Sequence, residues 1–237
     1  MPANANDQGG VAASLKFKVV VCGDRDVGKT SLIKRFCEGT FDLNMKPTLG
    51  VDFGRKDMTL EGHDCAFTLW DFAGEEKFRV LLPGYISGAS GALLVFDLAA
   101  PTTFESLPEW LELLRVHGRD LNVALVANKL DLLVDEAELE GVEQEAAATR
   151  FLDHEFGPPD VPGFPRTPRI LMGRYEIDQF VVTSAKENYG VEAAFERLGN
   201  TIIRRSLTRC AHCGRLVPKQ VLFCFYCGNQ VVPAADS

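Results

Sequence analysis

The sequence predicts an α/β fold: a mostly parallel, doubly wound sheet with flanking helices, followed by a small cysteine-bearing appendage. Three observations carry this. Short apolar runs rich in branched residues alternate with helical patterns along most of the 237 residues, which implies right-handed crossovers. One strand–helix junction has the form G-x-x-x-x-G-K-[ST], at Gly23-Asp24-Arg25-Asp26-Val27-Gly28-Lys29-Thr30-Ser31. Near the end, Cys210, Cys213, Cys224 and Cys227 form two C-x-x-C pairs with ten residues between them.

In order, residues 1–15 are small and polar and read as a disordered tail. Lys16–Cys22 is the first strand, and Lys29–Cys37 the first helix, with Leu32, Ile33 and Phe36 on one face. Cys22 and Cys37 read as core or helix-face residues. Glu38–Leu49 is a loop. Val51–Leu60 and Cys65–Asp71 form a hairpin across Glu61-Gly62-His63-Asp64, with His63 a solvated turn residue. Ala92–Leu98 and Val123–Ala127 are fully apolar strands, as in a sheet covered on both faces. Thr103–His117 is an amphipathic helix anchored by Trp110 and Leu114, and Glu143–Phe156 another helix. Gly157–Tyr175 is so rich in proline and glycine that it reads as a loop insertion, a surface elaboration or a partner-binding loop. Phe180–Thr183 is the sixth strand and Val191–Leu207 the last helix.

The nine-residue junction is a phosphate loop in the context it needs. Successive N–H groups wrap phosphates at a helix start, Lys29 reaches the β- and γ-phosphates, and the Thr30 hydroxyl ligates Mg²⁺. Base choice comes from Asn128-Lys129-Leu130-Asp131. The Asp131 carboxylate accepts from guanine N1–H and the 2-amino group, a donor pair adenine lacks. Lys129 packs its stem on the base, and Ser184-Ala185-Lys186 closes the other side, with the Ala185 N–H donating to guanine O6.

These residues, with Pro47-Thr48-Leu49-Gly50-Val51-Asp52-Phe53 and Trp70-Asp71-Phe72-Ala73-Gly74-Glu75-Glu76-Lys77-Phe78-Arg79, make the chain resemble the Ras superfamily of small GTPases, its Rab branch above all. The resemblance covers roughly residues 16–207 and implies a G domain of the P-loop NTPase fold with a six-stranded sheet. It implies Mg²⁺ held by Thr30, Thr48 and Asp71, the last through water. It places the Gly74 N–H on the γ-phosphate and Phe41 against the base, and it adds Asp26, Val27, Gly28, Lys29 and Ser31 to the nucleotide site. Lys29 and Thr48 join Arg25 and Glu75 as the catalytic set. Two residues depart from the family. Glu75 stands where the family has a water-orienting Gln, and Arg25 where it has a small residue facing the activating protein's arginine. Either the pair obstructs hydrolysis and leaves a slow switch, or Arg25 acts as an arginine in cis, paired with Glu75 at rest. Function is thus a Mg²⁺-dependent GTP/GDP switch with slow hydrolysis, bound by effectors, exchange factors and activating proteins. The alternative is a hydrolysis-poor scaffold that docks partners through its tail.

Two C-x-x-C-G knuckles at this spacing point to structural Zn²⁺ held by Cys210, Cys213, Cys224 and Cys227 in a ribbon over 208–232, with iron in the same cage or a redox dithiol as the alternatives, with the glycines letting backbone N–H groups turn to the sulfurs and with His212 outside the ligand set. From Arg204 on there are five cations and one acid, against 20 cations and 32 acids in the rest. A basic ribbon with Phe223, Phe225 and Tyr226 could touch nucleic acid or an anionic membrane, but the aromatics read first as the ribbon's own packing and the cations as solvated. The net charge of −8 argues against a nucleic-acid partner. An odd count of seven cysteines favours a reducing, cytoplasmic setting. With no signal, myristoylation or prenylation pattern, membranes are reached only indirectly, and the chain is expected to be a monomer.

Overall fold

A computed structural model of the chain describes residues 14–74, 82–118, 121–135, 138, 143–157, 161 and 163–231. The predicted N-terminal tail (but for residues 14 and 15), Glu75 with residues 76–81, Pro158, Pro159 and Pro162 in the insertion, and residues 233–237 lie outside the described residues. Six strands form the main sheet: β1 (Leu15–Cys22), β2 (Val51–Leu60), β3 (His63–Phe72), β4 (Gly91–Asp97), β5 (Asn122–Asn128) and β6 (Gln179–Val182). Their order is β2-β3-β1-β4-β5-β6, and all neighbours are parallel except the β2–β3 pair.

Alternation along the central strands decides which helices cover which face. Val19, Val21, Leu93 and Val95 point toward α1 (Lys29–Glu38) and α7 (Val191–Ser206), where Leu32, Phe36, Phe195 and Leu198 are buried. Phe36 and Phe195 stack with ring centroids 3.8 Å apart, which locks α1 to α7. Val20, Cys22, Leu94 and Phe96 point the other way, toward the helices between β3 and β6. These are α2 (Leu82–Ile86), α3 (Thr102–Glu105), α4 (Leu107–His117), α5 (Gln144–Leu152) and α6 (Pro168–Arg174). Both faces are covered, so the parallel strands carry no polar alternation. No helix among the described residues is long and apolar enough to cross a membrane.

The structure corrects the sequence reading at four places. The hairpin turn is only Glu61-Gly62, with φ of 48° and 76°, and the ladder runs on through His63 opposite Leu60. Two residues with positive φ make the tight turn that matches strand twist. His63 is therefore a strand residue, and its Nε2 lies 3.3 Å from Arg209 Nη2. The helix expected over Thr103–His117 is broken at Ser106, because Pro108 in the first turn of α4 has no N–H to continue the α3 ladder. The helix expected over Glu143–Phe156 ends at Leu152. The insertion is not all loop. Pro168 opens α6, where a missing N–H costs nothing, and the Thr167 hydroxyl accepts from the Ile170 N–H at 3.3 Å. Backbone N–H groups of Phe156 and Gly157 both reach the Arg166 carbonyl, at 2.9 and 3.1 Å, so this segment folds back on the body.

After α7 the chain enters a second, two-stranded sheet, β7 (Leu207–Arg209) against β8 (Leu216–Pro218). Leu207 and Leu216 pack on the main core, whereas Cys210, Val217, Cys224 and Val231 form a small cluster of their own.

Candidate functional site

A cavity of about 420 Å³ opens beyond the carboxyl ends of the parallel strands and is lined by the phosphate loop, the 41–48 loop, and the turns after β5 and β6. That is where doubly wound sheets bind ligands. Gly28 caps α1 in the left-handed region, at φ 93°, so the helix begins at Lys29 with its N–H groups facing the cavity. Gly23, at φ 135°, passes so close to β4 that a Cβ would sit 2.1 Å from the Val95 carbonyl oxygen. Only glycine permits that approach. Lys29 is buried, and its Nζ donates to the Asp24 carbonyl at 2.6 Å. Burial pushes its amine below the usual lysine range, against the pull of Asp71.

Asp24, unassigned by the sequence, ties the loop to the rest of the fold. Its carboxylate accepts from Ser106 Oγ at 2.6 Å and from Trp110 Nε1 at 2.9 Å. Trp110 is thus a core anchor and also a strut under the phosphate loop.

Three oxygens on three elements converge beside Lys29. Thr30 Oγ1 on α1 donates to Asp71 Oδ2 on β3 at 2.5 Å, and lies 2.7 Å from Thr48 Oγ1. Thr48 Oγ1 is 3.3 Å from the same carboxylate oxygen. Burial raises the Asp71 carboxyl, and its Oδ1 is buried without a hydrogen-bond partner among the described residues. An orphaned carboxylate oxygen beside two hydroxyls is an all-oxygen donor set, which fits a hard cation such as Mg²⁺. Gly74 lies against the backbone of Asp24 and Arg25, where a Cβ would come within 2.3 Å. The Arg25 guanidinium is exposed and pairs with Asp26 at 3.3 Å, both at the cavity rim.

The opposite end is built around Asn128, which is 1% exposed. Its Nδ2 donates to the Val27 carbonyl at 2.9 Å, and its Oδ1 accepts from Thr183 Oγ1 at 2.9 Å and from the Ala185 N–H at 3.3 Å. One amide therefore joins the phosphate loop to the turn after β6. Asp131 faces the cavity, and Ser184 Oγ donates to its Oδ1 at 2.5 Å. Val27 and Ser184 are themselves fully buried and do not line the cavity; they support the residues that do. Lys129, at φ 66°, places its stem along the cavity and its Nζ 2.8 Å from Asp97 Oδ2. Ser31, Phe41, Ala185 and Lys186 line the remaining wall. Arg35 is a second strut that the sequence did not announce: its guanidinium donates to the carbonyls of Ala185, Lys186 and Gly39 at 2.9, 2.7 and 2.8 Å.

The four tail cysteines lie together, all sulfurs within 4.8 Å of one another. Cys210 and Cys227 are 3.7 Å apart at sulfur, and Cys213 and Cys224 3.6 Å. A disulfide would need about 2.05 Å. A tetrahedral thiolate site with metal–sulfur bonds of about 2.3 Å spaces its sulfurs by about 3.8 Å, close to both of these distances. His212 is outside this group. The glycines do not turn their own N–H groups to sulfur. Gly214 and Gly228 donate to the carbonyls of Cys210 and Cys224, at 2.8 and 2.7 Å. The sulfur-facing donors come one residue later: Arg215 through its backbone, and Asn229 through its backbone and its Nδ2, 3.5 Å from Cys227 Sγ. Asn229 is what brings the Cys227 thiol down to about 6.

Residues 18–156 match the Ras family. The Ras-related protein Rab-18 of Lymnaea stagnalis is 35% identical over 190 residues, 79% of this chain and 81% of that protein. The Ras-related protein rab-11.1 of Caenorhabditis elegans is 35% identical over 183 residues, 77% of this chain and 74% of that protein. RABA5e of Arabidopsis thaliana is 46% identical over 118 residues, 49% of this chain and 54% of that protein. With a phosphate loop, a hydroxyl–carboxylate cluster and a guanine-type turn meeting in one cavity, and with matches of this extent, the chain belongs to the Ras family of small GTPases, on its Rab-like side.

Proposed function

We propose that this GTPase is a slow Mg²⁺-dependent GTP/GDP switch whose tail is held by structural Zn²⁺. The observation that carries the switch is the meeting of Thr30, Thr48 and Asp71. Thr48 belongs to a loop of its own, yet its hydroxyl sits 2.7 Å from that of Thr30 on the phosphate-loop helix. A loop held through one hydroxyl at the γ-phosphate end of the cavity is free to relax when that end changes charge. Magnesium bound to these oxygens supplies charge neutralisation of the phosphates. Lys29 holds the phosphates, Asn128 fixes both ends of the cavity relative to each other, and Asp131, oriented by Ser184, reads the base.

Slow hydrolysis is read from Arg25 and Glu75. A carboxylate at position 75 accepts from a water but cannot donate, and its charge opposes the γ-phosphate. Arg25 lines the rim of the cavity and is held there by its pair with Asp26. That supports obstruction over action in cis. Single-turnover hydrolysis of Arg25→Ala tests it: obstruction requires a faster rate than the parent, and a slower rate overturns it in favour of an arginine in cis. Glu75→Gln is expected to speed hydrolysis as well.

Zinc is favoured for the tail because four clustered thiolates, with no carboxylate or imidazole grouped with them among the described residues, suit a borderline-soft d¹⁰ ion. None of the seven cysteines is in a disulfide, which suits a reducing, cytoplasmic setting. One zinc per chain, measured on protein purified without added metal, is the expected stoichiometry.

A further inference from the structure

The second knuckle of the tail turns its large apolar side chains outward. Leu222, Phe223 and Phe225 are 73, 62 and 63% exposed, and Tyr226 is 38% exposed. The reading of these aromatics as the ribbon's own packing is therefore wrong. The space inside is filled by Cys210, Val217, Cys224 and Val231, and only small branched or sulfur side chains fit there. Four large apolar residues within five positions, held at a turn by a buried cysteine, form a convex tip. None of the four lines the nucleotide cavity.

The charge around the tip has one sign. Residues 207–231 carry Arg209, Arg215 and Lys219 and no carboxylate, while the rest of the chain has 22 cations and 33 acids. Arg215 lies 4.9 Å over the Tyr226 ring, so a cation sits directly beside the apolar surface. Two acids near the base of the ribbon are engaged: Glu61 pairs with Arg204 at 2.7 Å, and Asp178 pairs with Arg205.

We propose that this tip docks on an anionic lipid bilayer, with Leu222, Phe223 and Phe225 entering the headgroup–acyl boundary and Arg215 and Lys219 on lipid phosphates and carboxylates. A convex apolar surface needs a partner that flows around it, which a bilayer does and a folded protein does only with a matching pocket. Aromatic rings at the polar boundary and cations within a Debye length of anionic headgroups are the two terms that bind interfacial segments. Nucleic acid is the weaker fit. Leu222 is the most exposed of the four and has no face to stack on a base. The proposal rests on the thiolate metal site only for the rigidity of the tip.

The test is co-sedimentation of the full chain, loaded with GDP, with phosphatidylcholine vesicles and with phosphatidylcholine–phosphatidylserine vesicles at roughly 7:3. Binding is expected on the mixed vesicles, at least about tenfold weaker on phosphatidylcholine alone and in high salt. Phe223→Ser with Phe225→Ser should lower it about tenfold or more, and Arg215→Ala with Lys219→Ala by a similar factor on mixed vesicles only. Metal content and GDP binding are measured on every sample. If the phenylalanine pair loses metal, Leu222→Asn alone carries the apolar arm, with a loss of about threefold expected. No sedimentation with mixed vesicles, sedimentation indifferent to phosphatidylserine, or sedimentation unchanged by the apolar variants overturns the proposal. So does retention on single-stranded RNA or an acidic peptide without vesicle binding. A metal-free parent that still binds vesicles would sink the zinc reading and leave this one standing.

Discussion

Asp24 is where the phosphate loop is most open to a quantitative test. Its carboxylate takes two side-chain donors from across the fold, Ser106 Oγ at 2.6 Å and Trp110 Nε1 at 2.9 Å, while its carbonyl takes Lys29 Nζ. Hydrogen bonds to a carboxylate contribute about 1.5–3 kcal/mol each. Asp24→Ala removes both acceptors at once. Ser106 keeps a second partner in the Thr103 carbonyl at 3.2 Å, so its share of the loss is the smaller. The sum is about 3 kcal/mol, which in a chain of this size lowers Tm by about 6–12 °C. Trp110→Phe keeps the ring in the core and removes one donor, for about 1.5 kcal/mol or 3–6 °C. The assay is thermal unfolding by far-UV circular dichroism in saturating Mg·GDP, on both single variants and the double. Because the two residues share one bond, the double variant should lose at least about 1 kcal/mol less than the sum of the singles. Strict additivity, or an Asp24→Ala variant melting within about 2 °C of the parent, would refute the claim that this carboxylate anchors the loop.

Three further outcomes follow from the geometry. Ser184→Ala frees the Asp131 carboxylate from its 2.5 Å donor and should weaken GDP about tenfold, read by displacement of a fluorescent analogue, with the melting temperature of the GDP-free protein little changed. Cys224→Ser should abolish tail metal while GDP binding is retained, and it should lower Tm, because Leu207 and Leu216 lose their support on the main core; a variant with full metal content contradicts the four-thiolate site. Cys22 is buried, and burial pushes its thiol up to about 12 from 9.0. A folded-state value above the unfolded one means that its contribution is intact below pH 9.0 and is lost as pH rises toward 12. Three pKa units correspond to about 4 kcal/mol. Cys22→Ala should therefore lose stability at neutral pH but decline more gently between about pH 9 and 11 in urea titrations, and parallel declines would speak against this origin.

Much of the site was legible because its chemistry is local. Gly23, Gly28, Lys29 and Thr30 lie within eight positions, and the spacing alone requires a loop, a helix start and a cation at the same point. The strands were legible for a similar reason: burial on both faces leaves continuous apolar runs, as in Leu93–Phe96 and Leu125–Ala127. What escaped the sequence reading was whatever one side chain does to a distant backbone. Arg35 looks like a solvated helix cation, yet it holds carbonyls 150 positions away. Nothing in the sequence near Ser106 or Trp110 names Asp24 as their acceptor. Pro168 was counted as a helix breaker because a residue list does not say which turn of a helix it occupies. The tail aromatics were misplaced for a different reason. Apolar character predicts burial only where there is volume to enter, and a four-cysteine knuckle has almost none.

Arg35 also bears on how a bound nucleotide leaves. The helix that starts at the phosphate end ties, two turns along, the loop that cups the base, so the two grips cannot loosen one after the other by small local motions. Escape has to await a movement of the 41–48 strap, which lines the cavity. A protein that hastens release therefore has its lever on that side of the cleft, away from the purine.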